Sequence, residues 1–560
     1  MIRKDNNTMK EYFKKNENRI VWLISIITLL IACSPLISRY CINGHDIDYH
    51  LLRIESLKAG ILMGKPFLKV NVLFFGGAGY ASSMFYPDFL LYIPAILRAA
   101  GVSINASYHI FVTICFILCY YSMYYSISRM LRSKYAGLIS AVLVTLCQYH
   151  MDDIYVRSAV GEYTAFIFIP LVLYGIYDLL YEGMKKPWIL GTGFAGVLLC
   201  HTSSFVMCLL FAIAACLIKI KVFKNTDIMK RLIFTAVVTA GVTCVYWLPM
   251  MEQLFDTSFY VSTPWIEPST EAVNFASIFF NSFPSLGILV VVFCLPRVLL
   301  KKEGENRNII EFADYLIIAG ILFSLIASDL FPWERLGKYL SFIQFPWRFF
   351  IMASVLFAMA DGIILYLTAR KFALDKYDIP LEGTFAVIVL IVCGIFAYGN
   401  LSVNDQGYYD YSDDYYDYKP FTANVIAGEW LPESVISKET LVRESERMTA
   451  DNGELVDFTR IKNTVIADIS GKYKYIDVPF IYYKGYEASI DDNGEKTRLN
   501  VSGDGNNGFV RVDMKEGLTG KLKVYYAGTM LQIISKIITL VSISICILCL
   551  YKKCRGKVDA

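Results

Sequence analysis

Long apolar runs recur along this chain, and its basic residues fall between alternate pairs of them. Runs lie near 20–38, 106–127, 136–150, 163–180, 189–202, 203–219, 232–250, 284–300, 310–328, 349–368, 382–399 and 530–551. About 20 apolar residues cross a bilayer. The chain is 56% hydrophobic and only 18% charged, more apolar than a soluble protein of 560 residues requires. The fold class expected is therefore a polytopic α-helical membrane protein with about 12 spans. Counting twelve places every strongly basic short segment on one side: the N-terminus 1–19, Arg129 to Lys134, Lys185-Lys186, Lys219 to Arg231, Arg297 to Arg307, Arg370-Lys371, and the tail with Lys552, Lys553, Arg555 and Lys557. The positive-inside rule makes that side, with both termini, cytoplasmic. The charged N-terminus before the first run reads as part of a retained anchor and not as a cleaved signal peptide.

Two regions break the alternation. Between 39 and 104 there is no clean span. The segment 86–99, YPDFLLYIPAILRA, is apolar but short and is interrupted by Pro87, Pro94 and Arg98. It reads as an interfacial helix on the outer leaflet. From 400 to 529 the pattern changes to short alternating runs, such as 473–483 and 521–526. Turn sequences at Asp491-Asp-Asn-Gly494 and Asp504-Gly-Asn-Asn-Gly508 separate them, after a Tyr/Asp linker at 408–418. This is the signature of an antiparallel, sandwich-like β domain, here extracytoplasmic. The expected organisation is thus 1–19 cytoplasmic, 20–399 transmembrane with surface helices in the outer loop 39–104, 400–529 β domain, 530–551 last span and 552–560 cytoplasmic tail. The fourteen cysteines lie in or beside apolar runs, without CxxC spacing, and read as small packing residues and not as a disulfide or metal framework.

The stretch 43–65, NGHDIDYHLLRIESLKAGILMGK, follows the first run and gathers His45, Asp46, Asp48, His50, Arg53 and Glu55. A solvated loop also carries charges, but here the carboxylates sit beside histidines and an arginine. The spacing of Asp48, Leu51, Leu52 and Glu55 predicts a helix over 48–60. The same face receives His150, Asp152, Asp153, Arg157 and Glu162 from one loop, His201 from the next, and Lys338 and Arg348 from the stretch 329–348. Arg binds phosphate bidentately and Lys binds it as a point charge, so Arg157, Arg348 and Lys338 suit an anionic lipid headgroup. A carboxylate near a hydroxyl acceptor can act as general base. Blander roles stand beside these: Glu162 as a helix-start carboxylate favoured by the macrodipole, His201 as an interfacial cap, and Trp347 as an interface anchor. No GxSxG, HExxH or Walker motif occurs.

The sequences GHDIDYHLLRIESLKAGILMGKPF, FYPDFLLYIPAIL, RSAVGEYTAFIFIPLVLYGI, HTSSF and IQFPWRF resemble bacterial membrane proteins labelled "6-pyruvoyl-tetrahydropterin synthase related". These are similar to YfhO-like proteins and, more distantly, to GT-C glycosyltransferases. The likeness covers roughly 20–370, and 473–551 resembles the C-terminal part of YfhO-like proteins. It implies a sugar transferase using a polyprenyl-phosphate sugar donor and a cell-envelope glycan or glycolipid acceptor outside the cytoplasm. It implies Asp46 or Asp48 as the catalytic base, Glu162 as a second acidic residue, and Arg348 and Arg157 against donor phosphate. His45, His50, Arg53, His201 and Lys338 complete the candidate substrate-binding set. Many GT-C enzymes bind a divalent metal through a fuller acidic set. No metal ligand is assigned in this chain, and a divalent metal is left open. Membrane lipids are expected partners and nucleic acid is not. Two rivals are a lipid or polysaccharide transporter or flippase, which more often carries its charges at the bilayer midplane, and a non-catalytic envelope scaffold.

Overall fold

The computed structural model describes residues 2–262, 266–280, 283–340, 343–375, 381–403, 406–411, 428–492, 494–514 and 518–558. Most of the Tyr/Asp linker 408–418 and the Pro264-Trp265 pair lie outside them. Among the described residues six helices are long and apolar enough to cross a membrane: Ile104–Leu131, Val160–Tyr181, Gly304–Ala327, Pro346–Phe372, Leu381–Leu401 and Met530–Tyr551. The pair Thr226–Val242 and Cys244–Asp256, broken at Thr243, makes a seventh if it is one span. Each overlaps an expected run. The remaining expected crossings are shorter helices, Lys134–Leu146, Pro187–Leu198, Thr202–Ile218 and Leu289–Leu299. At 20–38 the helix ends at Ala32 and a 3-10 turn follows over Ser34–Ile37. Lys134–Leu146 has 13 residues, a rise of about 20 Å against a hydrocarbon core of about 30 Å. All of it from Tyr135 onward is buried, so its apolar run reflects packing inside the protein as much as contact with lipid.

The chain forms two compact units. The first comprises Met1–Ile47, His109–Ala240 and Ile266–Asp410. At its centre lies Pro346–Phe372, buried along its length. That helix packs on Arg307–Ala327, Lys134–Leu146 and Leu381–Val403. A Cβ at Gly362 would collide with the Ser140 side chain, so the central helix approaches its neighbour where a small residue permits it, as membrane helices commonly do. A short ladder joins β1 (Cys41–Ile42) antiparallel to β2 (Tyr408–Tyr409).

The second unit comprises Asp48–Tyr108, Gly241–Trp265 and Tyr411–Ala560. The helix Ile47–Leu62, expected over 48–60, runs into it. Tyr92–Ala99 is a short helix with Arg98 in its last turn, inside the expected surface segment. Two antiparallel sheets follow. One has the order β3 (Thr449–Ala450), β6 (Tyr475–Ile481), β10 (Phe509–Asp513), β9 (Val501–Ser502). The other has the order β4 (Thr459–Ile461), β5 (Thr464–Ile469), β11 (Gly520–Tyr526), β7 (Tyr486–Asp492), β8 (Glu495–Leu499). Val465, Ala488, Leu522 and Val524 of the second sheet share one core with Ile476, Val478, Val510 and Val512 of the first. Strands β5 and β7 alternate buried and less buried positions, the period of a sheet with one face in a core. Strand β6 is buried at six of seven positions, because Phe74, Phe75, Tyr80, Met84 and Phe85 enter the same core and Ile481 N donates to Ala78 O (2.9 Å).

Arg460, on an edge strand, ties these layers together. It donates to the carbonyls of Gly76 (3.0 Å), Ser445 (2.9 Å) and Pro479 (2.9 Å). Arg460→Met leaves three acceptors without their donor, at about 1 kcal/mol or more each. The expected outcome is a clear fall in the melting temperature of the purified protein, read by tryptophan fluorescence. An unchanged melting temperature contradicts the assignment.

Candidate functional site

The site in the first unit is built by a tight turn. The helix Gln148–Tyr155 ends where Val156 N and Arg157 N both donate to Asp152 O (2.8 and 3.0 Å) and Ala159 N donates to Asp153 O (3.0 Å). Ser158 takes a left-handed φ of 55°, which reverses the chain into Val160–Tyr181. The segment 44–46 lies along this turn: His45 N donates to Val156 O (3.0 Å) and Asp46 N to Arg157 O (2.8 Å). A side chain at Gly44 would collide with Ser158 and come within 3.1 Å of its backbone nitrogen. Glycine is what lets the two segments close, and that closure brings Asp46 to Arg157.

Around the turn the charged groups converge. Arg157 Nη1 lies 2.7 Å from Glu162 Oε1 and 3.2 Å from Asp153 Oδ1, and its Nη2 lies 3.8 Å from Asp46 Oδ2. Arg348 Nε donates to the same Glu162 Oε1 (3.1 Å), and Tyr149 OH donates to Oε2 (3.1 Å). Arg348 Nη1 donates to Ile343 O (3.1 Å) and Gln344 Oε1 (3.2 Å), and its guanidinium stands 4.8 Å from the Phe345 ring centroid. The side chains of Asp153 and Glu162 are 0% and 2% exposed, whereas that of Asp46 is 45% exposed. The interior of the cluster is therefore closed, and Asp46 is its opening. Beside Arg348, Phe345 stacks on Trp347 (4.6 Å between centroids), Trp347 meets Phe283 edge-on (6.0 Å), and Phe283 meets His45 edge-on (5.8 Å). Trp347 Nε1 is buried and has no hydrogen-bond partner among the described residues.

The electrostatics follow from burial. Burial pushes the Asp153 carboxyl well above the ordinary aspartate range, the Glu162 carboxylate adds to this, and Arg157 opposes it. Burial thus favours the protonated form of Asp153. Asp46 is also pushed up, by burial and by Glu162, against Arg157 and Arg348; its access to solvent keeps it free to exchange protons. Burial works against the charge on Arg157, but the nearby charges, the Glu162 carboxylate above all, outweigh it, so Arg157 stays a cation.

Asp46, Glu162, Arg157 and Arg348 are thus brought together, and His201 is buried with its Nδ1 2.8 Å from Ser204 Oγ. His45 stands exposed at the rim. Asp48, His50 and Arg53 fall in the second unit. Asp48 is in the first turn of Ile47–Leu62. Arg53 is completely buried: its Nη1 meets His50 Nδ1 (3.2 Å), its Nη2 binds Tyr86 O, Pro87 O and Asp88 Oδ1 (3.2, 2.8 and 2.5 Å), and its guanidinium lies over the Tyr86 ring. It staples its own helix to 86–88. The side chain of Lys338 lies outside the described residues. Tyr149 and Asp153 are members that sequence reasoning left out of the site. Their signal was present, since Tyr149, Asp153 and Arg157 recur every fourth residue on one helical face. Among the described residues no three His, Cys, Asp or Glu groups are placed to hold a metal ion. Glu162 is already taken up by two arginines and a tyrosine.

A mostly helical chain with several helices able to cross a bilayer, and a separate β-sheet region, is consistent with a multi-pass membrane protein. The chain belongs to DUF6541, a family of unknown function, whose profile matches residues 42–334. That match begins just before Gly44, contains Asp46, Asp153, Arg157, Glu162 and His201, and stops short of Arg348. A protein of Lactococcus lactis subsp. cremoris (strain MG1363), named "Uncharacterized protein", is 21% identical over 597 aligned positions, covering 96% of each chain.

Two substitutions test the cluster. Arg157→Met leaves Glu162 short of a partner in a buried setting and is expected to cost about 3–5 kcal/mol, seen as loss of folded protein or a large drop in melting temperature. Asp153→Asn is expected to be neutral or stabilising at pH 7. A carboxyl with a raised folded pKa binds its proton more tightly in the folded chain than in the unfolded one. Its contribution is therefore full below the ordinary value of about 3.9 and is lost as pH rises through the raised one. Melting curves from about pH 5 to about pH 8 should show the wild type gaining on Asp153→Asn as pH falls; a relative loss contradicts an upward-shifted Asp153 carboxyl.

Proposed function

We propose that this chain is a membrane glycosyltransferase that moves a sugar from a polyprenyl-phosphate donor to a cell-envelope acceptor outside the cytoplasm, as its resemblance to GT-C enzymes implies. The observation that carries the reading is an accessible carboxylate, Asp46, beside two guanidiniums that one buried glutamate holds in place. In the reaction the acceptor hydroxyl attacks the anomeric carbon as its proton passes to Asp46. The bond from that carbon to the donor phosphate oxygen breaks, the configuration inverts, and polyprenyl phosphate leaves with the electron pair. Arg348 takes the developing phosphate charge, with Arg157 behind it, an electrostatic stabilisation that a water-poor site strengthens. Glu162 is a positioning residue, since both its oxygens are engaged. Trp347, Phe345 and Phe283 offer an apolar wall for the sugar ring. Membership of the same cluster favours Asp46 over Asp48 as the base, and its upward-shifted carboxyl suits that task. On the twelve-span reading, the positive-inside rule favours cytoplasmic termini and an extracytoplasmic site.

Asp46→Asn and Asp48→Asn, compared in vesicles supplied with a lipid-linked sugar, test the assignment. Asp46→Asn is expected to lose about 10²–10⁴-fold in transfer, and Asp48→Asn to remain within a few-fold of wild type. The wild-type acid limb should lie above the ordinary aspartate value. Full transfer by Asp46→Asn sinks the assignment, and movement of the sugar lipid across the bilayer without covalent transfer favours the transporter.

A further inference from the structure

The helix Gln148–Tyr155 has a second functional face. Tyr149 and Asp153 point into the ionic cluster. Asp152 and Tyr155, about 100° round the same helix, line a cavity of about 300 Å³ together with Asn400, Gln406, Tyr398 and Tyr408, all in the first unit. That volume lies at the lower end for small-molecule sites, about 300–1,000 Å³.

The lining is selective. Asp152 is 2% exposed, and its Oδ2 accepts from Gln148 Nε2 (2.7 Å). Asn400 is 4% exposed, yet its Oδ1 meets no hydrogen-bond partner among the described residues. A buried carbonyl oxygen left in this way costs about 1–3 kcal/mol unless something donates to it. No Lys or Arg lines the cavity among the described residues. With a carboxylate in its wall, the cavity disfavours phosphate and every other anion. Tyr155 is fixed by its hydroxyl, which donates to Ala32 O (2.6 Å), while Tyr398 and Tyr408 stand 75% and 50% exposed at the rim. A carboxylate, two side-chain amides and aromatic rings form a set that donates to, accepts from and stacks against a neutral polyhydroxylated ring.

We infer that this cavity is a binding site for an uncharged sugar, and its role as the acceptor subsite rests on the transferase reading. The division of labour is chemical. The donor phosphate goes to the guanidiniums on one face of the helix, and a neutral saccharide goes to the carboxamide and carboxylate on the other. Asp152 and Asp153, adjacent in sequence, belong one to each site.

The test is direct binding to the full chain in lipid nanodiscs, free of sugar-headed detergent. The probes are methyl α-mannopyranoside, methyl β-glucopyranoside, methyl β-galactopyranoside and N-acetylglucosamine, followed by saturation-transfer-difference NMR. At least one is expected to bind. Asn400→Leu should weaken that binding about tenfold, the loss of one buried hydrogen bond, while the melting temperature stays that of the wild type. Gln406→Ala, at the half-buried rim, should weaken it less and serves as the arm if Asn400→Leu fails to fold. Binding by none of the four probes overturns the proposal, as does binding that neither variant alters. No donor is present in the assay, so sugar binding is judged apart from whether the chain transfers sugar.

Discussion

A carboxylate with 2% of its side chain exposed cannot stay charged in a helical interior without cations against it, and Glu162 has two. Much of the first unit near the site follows from this. Arg157 comes from the turn after Gln148–Tyr155, Arg348 from the start of the central helix, and Tyr149 from the first turn of Gln148–Tyr155. Each is fixed by the same carboxyl group. Such a network is poor evidence for stability, because desolvation offsets most of its Coulombic gain. Its effect is on geometry: two guanidiniums are held still, with part of one facing the half-exposed Asp46. Two carboxylates, Asp46 and Glu162, face the two arginines, while burial favours the protonated form of Asp153. When Asp46 takes up a proton the cluster gains one positive charge, which in the proposed reaction would meet the departing phosphate.

The sequence carried much of this and misjudged its scale. The apolar runs that become spanning helices were legible because lipid imposes a length and a period on them. Lys134–Leu146 carries the same composition for another reason: from Tyr135 onward it is buried on all sides, and hydropathy does not separate a lipid neighbour from a protein neighbour. Helix Ile47–Leu62 and strands β6 and β11 lie where periodicity places them. The burial of β6 on both faces was not legible, since it depends on Phe74, Phe75 and Phe85, some 400 residues earlier.

The candidate residues divide along a line invisible in the sequence. Asp46 and Asp48 are two positions apart, yet the boundary between the units falls between them. Asp46 is drawn to Arg157 because Gly44 lets its backbone close on Ser158, whereas His50 and Arg53 turn to Tyr86, Pro87 and Asp88. A dense polar stretch announces that something is recognised. It does not say which of its members serve a site and which staple a fold, because both uses demand the same residue types. Asp153 shows the converse. It sits among unremarkable loop carboxylates, and only its four-residue spacing from Tyr149 and Arg157 marks it.

The account stands on where the donor phosphate lies. A polyprenyl phosphate bearing a photoactivatable group next to the phosphate, crosslinked to the purified full chain and mapped by mass spectrometry, measures this directly. The account predicts crosslinks in 343–349 and around Arg157, diminished in Arg348→Met protein of unchanged melting temperature. Crosslinks confined to other segments, or indifferent to Arg348, contradict it.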